Sequence, residues 1–211
     1  MRKTREEAEK TRQQLLDAAL DVFWLHGVSH ATLQEIAQNA GVTRGALYWH
    51  FKNKEDLFEV LFEQCYTPFL QKLQTAAQQP EQALTHLRGV FCELFDLLEN
   101  DTRQQKFCNV MHLKCEHTPK NAPITKLAEN YHHRFHEEIT RILLLAQQQN
   151  SLPENIDIDK ITLYLKSNIT GLILLWSNKP ENIKLSEMGQ MIVDTTIHTL
   201  QNSPQFLKQT A

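Results

Sequence analysis

The amino-acid sequence predicts an all-α protein, with a three-helix head that contains a helix-turn-helix and a six-helix body behind it. Glycine (6 residues) and proline (7 residues) are scarce among the 211 residues, and most prolines fall between long segments of helical periodicity. Apolar residues recur every three or four positions through those segments, which is typical of amphipathic helices. Because 41% of the residues are hydrophobic, the chain can bury a core and is not expected to be disordered.

Charge is distributed unevenly along the chain. The formal net charge is −3, which argues against nucleic acid as a partner when taken alone. Residues 1–54, however, carry eight lysines and arginines against six acidic residues, whereas the remaining residues carry fourteen against nineteen. The basic residues therefore concentrate at the N-terminus and around residues 44–54.

The cysteines and the hydropathy indicate a cytoplasmic protein. The four cysteines, at positions 65, 92, 108 and 115, form no C-x-x-C pair and lie in apolar helical stretches, so we expect reduced thiols. No apolar run follows the charged N-terminus, so no signal peptide is expected. The longest apolar runs, such as residues 169–176, are far shorter than the roughly 20 residues of a membrane span.

The head is predicted to comprise residues 1–53. The first helix is expected to end before Gly27, a residue suited to the position after a helix. Thr32 and Glu35 form a capping box, which predicts that a second helix begins directly after Thr32. Gly41 ends this helix, and Thr43 caps a third. A helix, a short turn containing glycine and a short helix together match the helix-turn-helix pattern.

The third predicted helix lies in the stretch VTRGALYWHF, residues 42–51, and carries more rings than one core face can accept. Successive residues on a helix point about 100° apart, so only Leu47 and Phe51 are expected to reach the core. The other residues suit a helix that docks in the major groove of DNA, with Arg44 reading guanine. Small residues that let the backbone approach the bases are Gly45 and Ala46. Donors suited to phosphate oxygens are Thr43, Tyr48, Trp49 and His50.

Further candidate DNA contacts flank this helix. Thr32 and Lys54 open the second and fourth helices, whose N-terminal amides favour phosphate. A basic arm for the minor groove or the DNA backbone is formed by Arg2, Lys3 and Arg5. Taken alone, the pattern also allows an alternative, in which the aromatic residues of this helix contact a protein instead of DNA.

The body is predicted to comprise residues 54–211. Its helices are expected near 54–78, 82–99, 102–115, 121–149, 158–178 and 185–202. Pro68 falls inside the first of them and predicts a kink. The helix at 158–178 is apolar around most of its circumference, which indicates burial on several sides, one of which can be a second subunit. Apolar residues that extend this face to the last helix are Met188, Met191, Ile192 and Ile197.

Residues 11–62 closely resemble the DNA-binding head of the TetR family of transcriptional repressors. The matching residues are Gly27-Val28, Thr32 with Glu35-Ile36-Ala37, Ala40-Gly41-Val42, Tyr48 with Phe51, and Lys54-Glu55 with Leu57. The stretch GVTRGALYWHFKNKEDLF, the start MRKTREEAEKTR and LKCEHT at 113–118 are similar to the branch of multidrug-efflux repressors of the AcrR, MtrR and TtgR type. The resemblance implies a nine-helix fold, a homodimer through the last two helices and a ligand cavity in the body.

The resemblance also implies a function. We expect a homodimeric repressor of a multidrug efflux pump operon that binds a palindromic operator in double-stranded DNA and needs no cofactor. A small hydrophobic or amphipathic inducer, such as a drug, a dye or a bile-acid-like compound, would bind the body and release the operator. The helix that begins at Lys54 links body and head, and Pro68 marks a bend in it.

Candidate ligand contacts come from polar and aromatic residues of the body. By resemblance, the residues that fall where the efflux-repressor branch places ligand contacts are Tyr66, Cys108, His112, Phe135, Lys166 and Thr170. Other aromatic and sulfur-containing candidates are Phe95, Met111 and Trp176, although most such groups serve a core. A lysine at 166, and a threonine instead of an acid at 170, favour an anionic or neutral ligand over a cationic one.

Other functions stay open on the sequence. A metal sensor would use Cys115, His117, His132, His133 and His136, two of which are four residues apart; the alternative, which we favour, is a solvated histidine-rich helix without metal. An enzyme is disfavoured because the chain has no phosphate-binding glycine loop and no G-x-S-x-G or H-E-x-x-H motif. A dimeric adaptor would use the head to bind a protein.

Overall fold

The structure is a computed structural model that describes residues 5–79, 81–116 and 118–208. Among these residues it contains nine α-helices: α1 (Arg5–His26), α2 (Leu33–Asn39), α3 (Arg44–His50), α4 (Lys54–Ala76), α5 (Ala83–Asn100), α6 (Thr102–Asn109), α7 (Ala122–Gln148), α8 (Ile158–Asn178) and α9 (Leu185–Asn202). No β-strand forms within the described ranges, where Ile156 and Leu207 share one isolated antiparallel bridge. The all-α prediction is confirmed.

The helix predicted at 102–115 differs in its second half from the expectation. The α-helical hydrogen bonding of α6 ends at Asn109, and the chain continues as a π-helical turn, Val110–Lys114. Such turns are rare and often occur at functional sites. Pro68 lies inside α4, as the sequence requires, and its missing N–H leaves the carbonyl of Gln64 without the usual helical donor. The predicted kink at this position stays a prediction.

By its internal packing the chain forms two compact units. The first comprises Met1–Thr67 and Thr102–Glu129, and the second comprises Pro68–Asp101 and Asn130–Ala211. The division falls inside α4 and inside α7. This division reflects packing alone. The predicted boundary after residue 53, between a DNA-binding head and a ligand-binding body, therefore stays a prediction.

The first unit is built around the apolar stripe of α1. Leu15, Leu16 and Phe23 are fully buried, as are Ile36 of α2 and Leu47 of α3. The ring of Phe23 lies 5.5 Å from that of Phe58 in α4, measured between centroids. The stripe predicted from the sequence therefore forms the core against which the short helices are held.

Two ion pairs join α1 to α6 in the first unit. Arg103 donates from Nε to Asp17 over 3.1 Å, and Lys106 donates from Nζ to Asp21 over 2.5 Å. All four side chains are partly exposed. These pairs orient α6 along α1, and exposed pairs of this kind contribute less than about 1 kcal/mol each.

The packing of α5 against α9 organises the second unit. Leu185, Gly189 and Val193 lie on the buried stripe of α9. A Cβ atom at Gly189 would lie 2.2 Å from Cδ2 of Phe95, so α9 approaches the Phe95 ring more closely than any other residue type would permit. Farther along the same pair of helices, Arg88 holds Asp194 with two hydrogen bonds, from Nε over 2.5 Å and from Nη2 over 2.9 Å.

Glu99, in the last turn of α5, caps the start of α9. Its carboxylate accepts hydrogen bonds from the backbone N–H groups of Leu185, over 3.1 Å, and Ser186, over 3.0 Å. The Ser186 hydroxyl also donates to Glu99, and this hydrogen bond is the main cause of a lowered pKa for the carboxyl group. Lys184, the residue at the cap position itself, makes no side-chain cap. The first turn of α9 is therefore capped from another helix.

None of the helices in the described part of the chain combines the length and the apolar character that a membrane span requires.

The glycine at position 189 provides a test of the α5–α9 packing. We expect Gly189→Ala to destabilise the protein by about 1–3 kcal/mol, because the added methyl group must displace the buried Phe95 ring. Gly89→Ala in α5 is the matched control, because a Cβ atom there meets no atom within 4 Å. It should stabilise the helix by about 0.5–1 kcal/mol. Urea unfolding at one fixed protein concentration measures both, and equal effects of the two substitutions would contradict the packing.

Candidate nucleic-acid interface and ligand-binding residues

Three local features that the sequence predicted mark the helix ends in the helix-turn-helix. Thr32 accepts a hydrogen bond from the N–H of Glu35 over 3.2 Å, and the Glu35 carboxylate accepts one from the N–H of Thr32 over 2.9 Å. Gly41 has a φ of +67°, a left-handed conformation that suits glycine. Thr43 caps α3 by accepting from the N–H of Ala46 over 3.1 Å. The capping box, the glycine stop and the third-helix cap are confirmed.

These caps use both threonines that were predicted to contact phosphate. A hydroxyl that accepts a cap hydrogen bond can still donate its own proton, so capping and phosphate binding are compatible. The Thr32 hydroxyl already donates to the Glu35 carboxylate over 2.7 Å, whereas no such bond occupies Thr43 among the described contacts. Thr43 is therefore the better placed of the two for a phosphate.

Helix α3 buries one side chain, leaves Ala46 and His50 half-buried and exposes the others. Leu47 is its single buried residue, and Phe51 directly after it is buried as well, which confirms the prediction for this pair. Trp49 is 72% exposed and Tyr48 is 46% exposed. A Cβ atom at Gly45 would meet only the Thr43 hydroxyl, at 3.9 Å, so the surface there is open to an approaching molecule.

Arg44 and Tyr48 form a pair on this exposed surface. Arg44 donates from Nη2 to the Tyr48 hydroxyl over 3.1 Å, and its guanidinium carbon lies 5.4 Å from the centre of the Tyr48 ring. The residues are four positions apart, so they lie on the same face of the helix. Arg44, predicted to read a base, and Tyr48, predicted to bind phosphate, are thus joined by a hydrogen bond. The sequence analysis predicted the two contacts independently.

Lys54 occupies a different position from the one expected of a phosphate contact. Its Nζ donates to the backbone carbonyls of Val28, over 2.6 Å, and Ala31, over 3.4 Å, in the turn between α1 and α2. The side chain is therefore engaged by the turn that precedes the helix-turn-helix, and its contact with phosphate stays a prediction. Arg2 and Lys3 of the predicted arm lie outside the described residues, and Arg5 begins α1.

Arg12 is a basic residue at this surface that the sequence analysis did not assign. Its guanidinium carbon lies 5.4 Å from the centre of the Phe51 ring, directly after α3. The Phe51 ring lies 6.3 Å from that of His50, and the His50 ring lies 4.6 Å from that of Trp49 in an edge-to-face arrangement, both measured between centroids. Only the folded chain brings a cation of α1 to the end of α3, because about 40 residues separate Arg12 from Phe51 in the sequence.

Four predicted ligand residues belong to the first unit. The Tyr66 ring packs on Phe62, with centroids 5.3 Å apart, and burial beside the Cys108 thiol raises the pKa of the Tyr66 hydroxyl. Cys108 is buried in α6. Met111 and His112 are half-buried in the π-helical turn.

Two predicted ligand residues come together in the second unit. The Lys166 ammonium of α8 lies 5.9 Å from the centre of the Phe135 ring of α7. Phe135 itself packs against Phe69, with centroids 5.7 Å apart. Burial lowers the pKa of Lys166, and desolvation together with the Lys166 charge lowers the pKa of His132. A cation held against an aromatic ring is a group that an anionic ligand can use.

The remaining predicted ligand residues occupy other surroundings. Phe95 and Trp176 are fully buried in the packed core of the second unit, and Thr170 is exposed on α8. Asn168, a polar residue on the same helix, donates to the Thr196 hydroxyl of α9 over 3.2 Å. Ligand contact through Phe95, Trp176 or Thr170 stays a prediction.

A groove in the second unit contains none of the predicted ligand residues. It lies between the second half of α4 and the first half of α5 and has a volume of about 660 Å³. Residues along it are Pro68, Gln71, Lys72, Thr75, Ala76, Gln79, Thr85, His86, Gly89, Val90 and Glu93. Its walls combine apolar and polar side chains, including the ion pair of Lys72 with Glu93.

The histidine and cysteine cluster considered as a metal site does not assemble among the described residues. No group of three or more histidine, cysteine, aspartate or glutamate side chains lies close enough to hold a metal ion in that part of the chain. His117, one of the five candidates, lies outside the described residues. His133 contacts Glu137 over 3.5 Å on the exposed side of α7.

Comparison with known proteins identifies the family. Residues 15–61 match the family model described as bacterial regulatory proteins, tetR family. Residues 82–202, more than half of the chain, match the model described as MAATS-type transcriptional repressor, C-terminal region. The chain belongs to the TetR family of transcriptional regulators. The predicted family is thus confirmed, and with it a DNA-binding function for the helix-turn-helix.

Individual TetR-family proteins match over nearly the whole chain. The HTH-type transcriptional regulator TtgR of Pseudomonas putida is 32% identical over 209 residues, covering 99% of this chain and 100% of TtgR. The structure of the SmeT–triclosan complex has a TM-score of 0.84 and 29% identity, covering 95% of this chain and 96% of SmeT. NalD of Pseudomonas aeruginosa has a TM-score of 0.80 and 25% identity, covering 94% of this chain and 100% of NalD.

The Arg44–Tyr48 pair makes a testable prediction for this TetR-family regulator. Arg44→Ala should relax base preference at one position per half-site, at a cost of about 1–3 kcal/mol. Tyr48→Phe should weaken binding to all sequences, and it should also reduce preference at the same base pair, because the hydroxyl no longer orients the guanidinium. A double-mutant cycle on matched and mismatched operators measures the coupling, for which we expect more than about 0.5 kcal/mol on the matched operator. Additive effects would show that the two side chains act separately.

Proposed function

We propose that the protein is a homodimeric repressor of a multidrug efflux pump operon that a hydrophobic or amphipathic ligand releases from DNA. The observation that carries the proposal is the exposed face of α3, where Arg44, Tyr48 and Trp49 stand on a capped helix that buries only Leu47. An exposed arginine and exposed rings on a short, well-held helix suit a surface that meets base edges and phosphates. Such a regulator would act on DNA in the cytoplasm.

The targets of two similar proteins support an efflux-pump target for this chain. SmeT is described as the repressor of the Stenotrophomonas maltophilia multidrug efflux pump SmeDEF. NalD is described as the secondary repressor of the MexAB-OprM multidrug efflux pump in Pseudomonas aeruginosa. We infer a target of the same class for this chain.

The proposed DNA contacts are those that the sequence predicts. Arg44 reads a base edge, and Gly45 and Ala46 let the backbone approach. The groups proposed to hold the DNA backbone are Thr32, Thr43, Tyr48, Trp49, His50 and Lys54. Backbone contacts position the protein, whereas the arginine supplies the sequence preference.

The outer faces of α8 and α9 support a homodimer. Leu163 and Leu175 on α8 are 65% and 64% exposed, and Met191 on α9 is 54% exposed. Leu174 and Met188 extend this apolar surface. Exposed apolar residues concentrated on two neighbouring helices are typical of a subunit interface. Two heads placed about one turn of DNA apart, or a multiple of it, would then read the two halves of a palindrome.

Ligand release would follow from a difference in affinity. In one conformation of the dimer the heads are spaced to fit the operator, and in a second conformation they are not. A ligand that binds the second conformation more tightly lowers operator affinity by at most the ratio of its affinities for the two conformations. We propose that the ligand contacts the residues that the sequence predicts for it. Among them, Lys166 and Phe135 form a pair that suits an anion or a neutral aromatic compound. The SmeT structure contains triclosan, so we propose triclosan as the first compound to examine.

Electrophoretic mobility shift with the DNA upstream of the chain's own gene tests the proposal. We expect binding to a palindromic site that falls steeply as the salt concentration rises, because lysine and arginine contacts with phosphate release counterions. Scrambled DNA of the same length is the control. Equal binding to both DNAs, or none, would remove the repressor function and favour a head that binds a protein.

The dimer face is tested by placing a charge on it. Leu163→Glu and Leu175→Glu should each raise the dimer dissociation constant at least about tenfold, because the interface would bury an unpaired carboxylate. Leu25→Glu on α1 is the matched control, because Leu25 is similarly exposed, at 57%, and lies on neither helix. Analytical ultracentrifugation measures the association. If both interface variants dimerise with the same dissociation constant as the Leu25→Glu control, this interface is excluded.

The ligand preference is tested by removing the Lys166 charge. Lys166→Ala should weaken binding of the anion deoxycholate about tenfold, and it should weaken binding of the cationic dye ethidium less or strengthen it. Burial lowers the pKa of Lys166, so its charge is present below that lowered pKa. Deoxycholate affinity should therefore decline as the pH rises through it. Lys160→Ala, an exposed lysine on the same helix, is the control; equal effects of Lys166→Ala on both ligands would contradict the preference.

A further inference from the structure

In the first unit, Lys114, Glu116 and Asn121 bind the turn between α1 and α2. The N–H of Val28 donates to the carbonyl of Lys114 over 3.0 Å, and the N–H of Ser29 donates to Oε2 of Glu116 over 3.3 Å. More than 80 residues separate the two segments in the sequence, so these bonds belong to the tertiary structure alone.

Asn121 completes this connection from a buried position. Its side chain is 1% exposed, and its Nδ2 donates to the Ser29 hydroxyl over 2.7 Å and to the carbonyl of Glu116 over 3.0 Å. One amide group therefore holds both the turn and the segment. A hydrogen bond from the Ser29 side chain is the main cause of a lowered pKa for the Glu116 carboxyl group, and the bond from the Ser29 N–H lowers it further.

Gly27 shows how closely the segment approaches the turn. Its φ is +79°, and a Cβ atom there would lie 3.0 Å from Oε1 of Glu116 and 3.5 Å from the carbonyl oxygen of Lys114. Glycine thus serves two purposes at this position: it ends α1 in a left-handed conformation, and it leaves room for Glu116.

A residue of α4 also holds this turn. Lys54 donates to the carbonyls of Val28 and Ala31. The turn connects α1 to α2, and α2 packs against α3, so the direction of the turn determines where α3 is presented. Any group that holds the turn also positions Arg44 and Tyr48.

We propose that Glu116 and Asn121 are positioning residues for operator binding, which hold the α1–α2 turn, and through it α3, in the DNA-binding arrangement. The proposal rests on the proposed function, since it concerns how α3 is held for DNA. Glu116, Asn121, Ser29 and Gly27, with the carbonyl of Lys114, form what we call the latch. The π-helical turn that ends at Lys114 carries Met111 and His112, so a ligand that displaced this turn would act directly on the latch.

Three substitutions separate this role from a simple charge effect. Glu116→Ala removes the acceptor of the Ser29 N–H, whereas Glu116→Gln removes the same charge but keeps an acceptor oxygen. Loss of negative charge alone would strengthen DNA binding equally in both variants. Asn121→Ala removes the buried donor, and Glu116, being exposed, provides the variant that keeps the core intact. Asp21→Asn is the matched control, because it breaks an ion pair between α1 and α6 away from the turn.

Operator affinity and backbone amide exchange are measured for the full-length variants, with thermal unfolding as the check on folding. We expect Glu116→Ala and Asn121→Ala to bind the operator at least about fivefold more weakly than the wild type. Glu116→Gln and Asp21→Asn should stay close to the wild type. Amides of the α1–α2 turn, α2 and α3 should exchange faster in Glu116→Ala than in these two variants, while the unfolding midpoint stays nearly unchanged.

Two results would overturn the proposal. One is wild-type operator affinity and wild-type exchange in Glu116→Ala. The other is an equal loss of affinity in Asp21→Asn, which would show that any loosening of this unit weakens DNA binding. If the wild-type protein itself shows no sequence-selective binding, the proposed function fails, and the amide exchange of α2 and α3 still decides whether the latch holds them.

Discussion

The short length of α3 is the constraint on which the rest of the head depends. A seven-residue helix is not stable by itself, because the cost of starting a helix exceeds what so few hydrogen bonds return. Leu47 and Phe51 hold it in the core, and the Thr43 cap satisfies a free N–H at its start. Because packing on one side stabilises the helix, Arg44 and Tyr48 can remain exposed to bind another molecule.

The same dependence explains why so many contacts converge on the turn between α1 and α2. A helix that relies on packing takes its position from whatever positions its neighbours. Lys54 binds the turn from α4, and Glu116 and Asn121 bind it from the segment after α6. The placement of α3 that we propose therefore depends on residues that lie outside α3 itself.

In the second unit, the close contact of Phe95 with Gly189 has a comparable role. It brings α9 against α5, and the Glu99 cap and the Arg88–Asp194 pair hold the two helices along their length. The apolar residues on the outer sides of α8 and α9 are then left facing away from the core of this unit. This arrangement accounts for a helix whose sequence is apolar on nearly every side.

The resemblance of residues 11–62 to the TetR DNA-binding head indicated the family. The sequence by itself determined the fold class and nearly all helix boundaries, because caps, glycine stops and apolar periodicity act over three to five residues. It also separated Leu47 and Phe51 from the exposed residues of α3. Only the tertiary structure decided that Lys54 binds backbone carbonyls, that Phe95 lies under α9 and that Glu116 meets the turn after α1. These contacts join residues from 23 to 94 positions apart, and no local pattern encodes which distant partner a side chain meets.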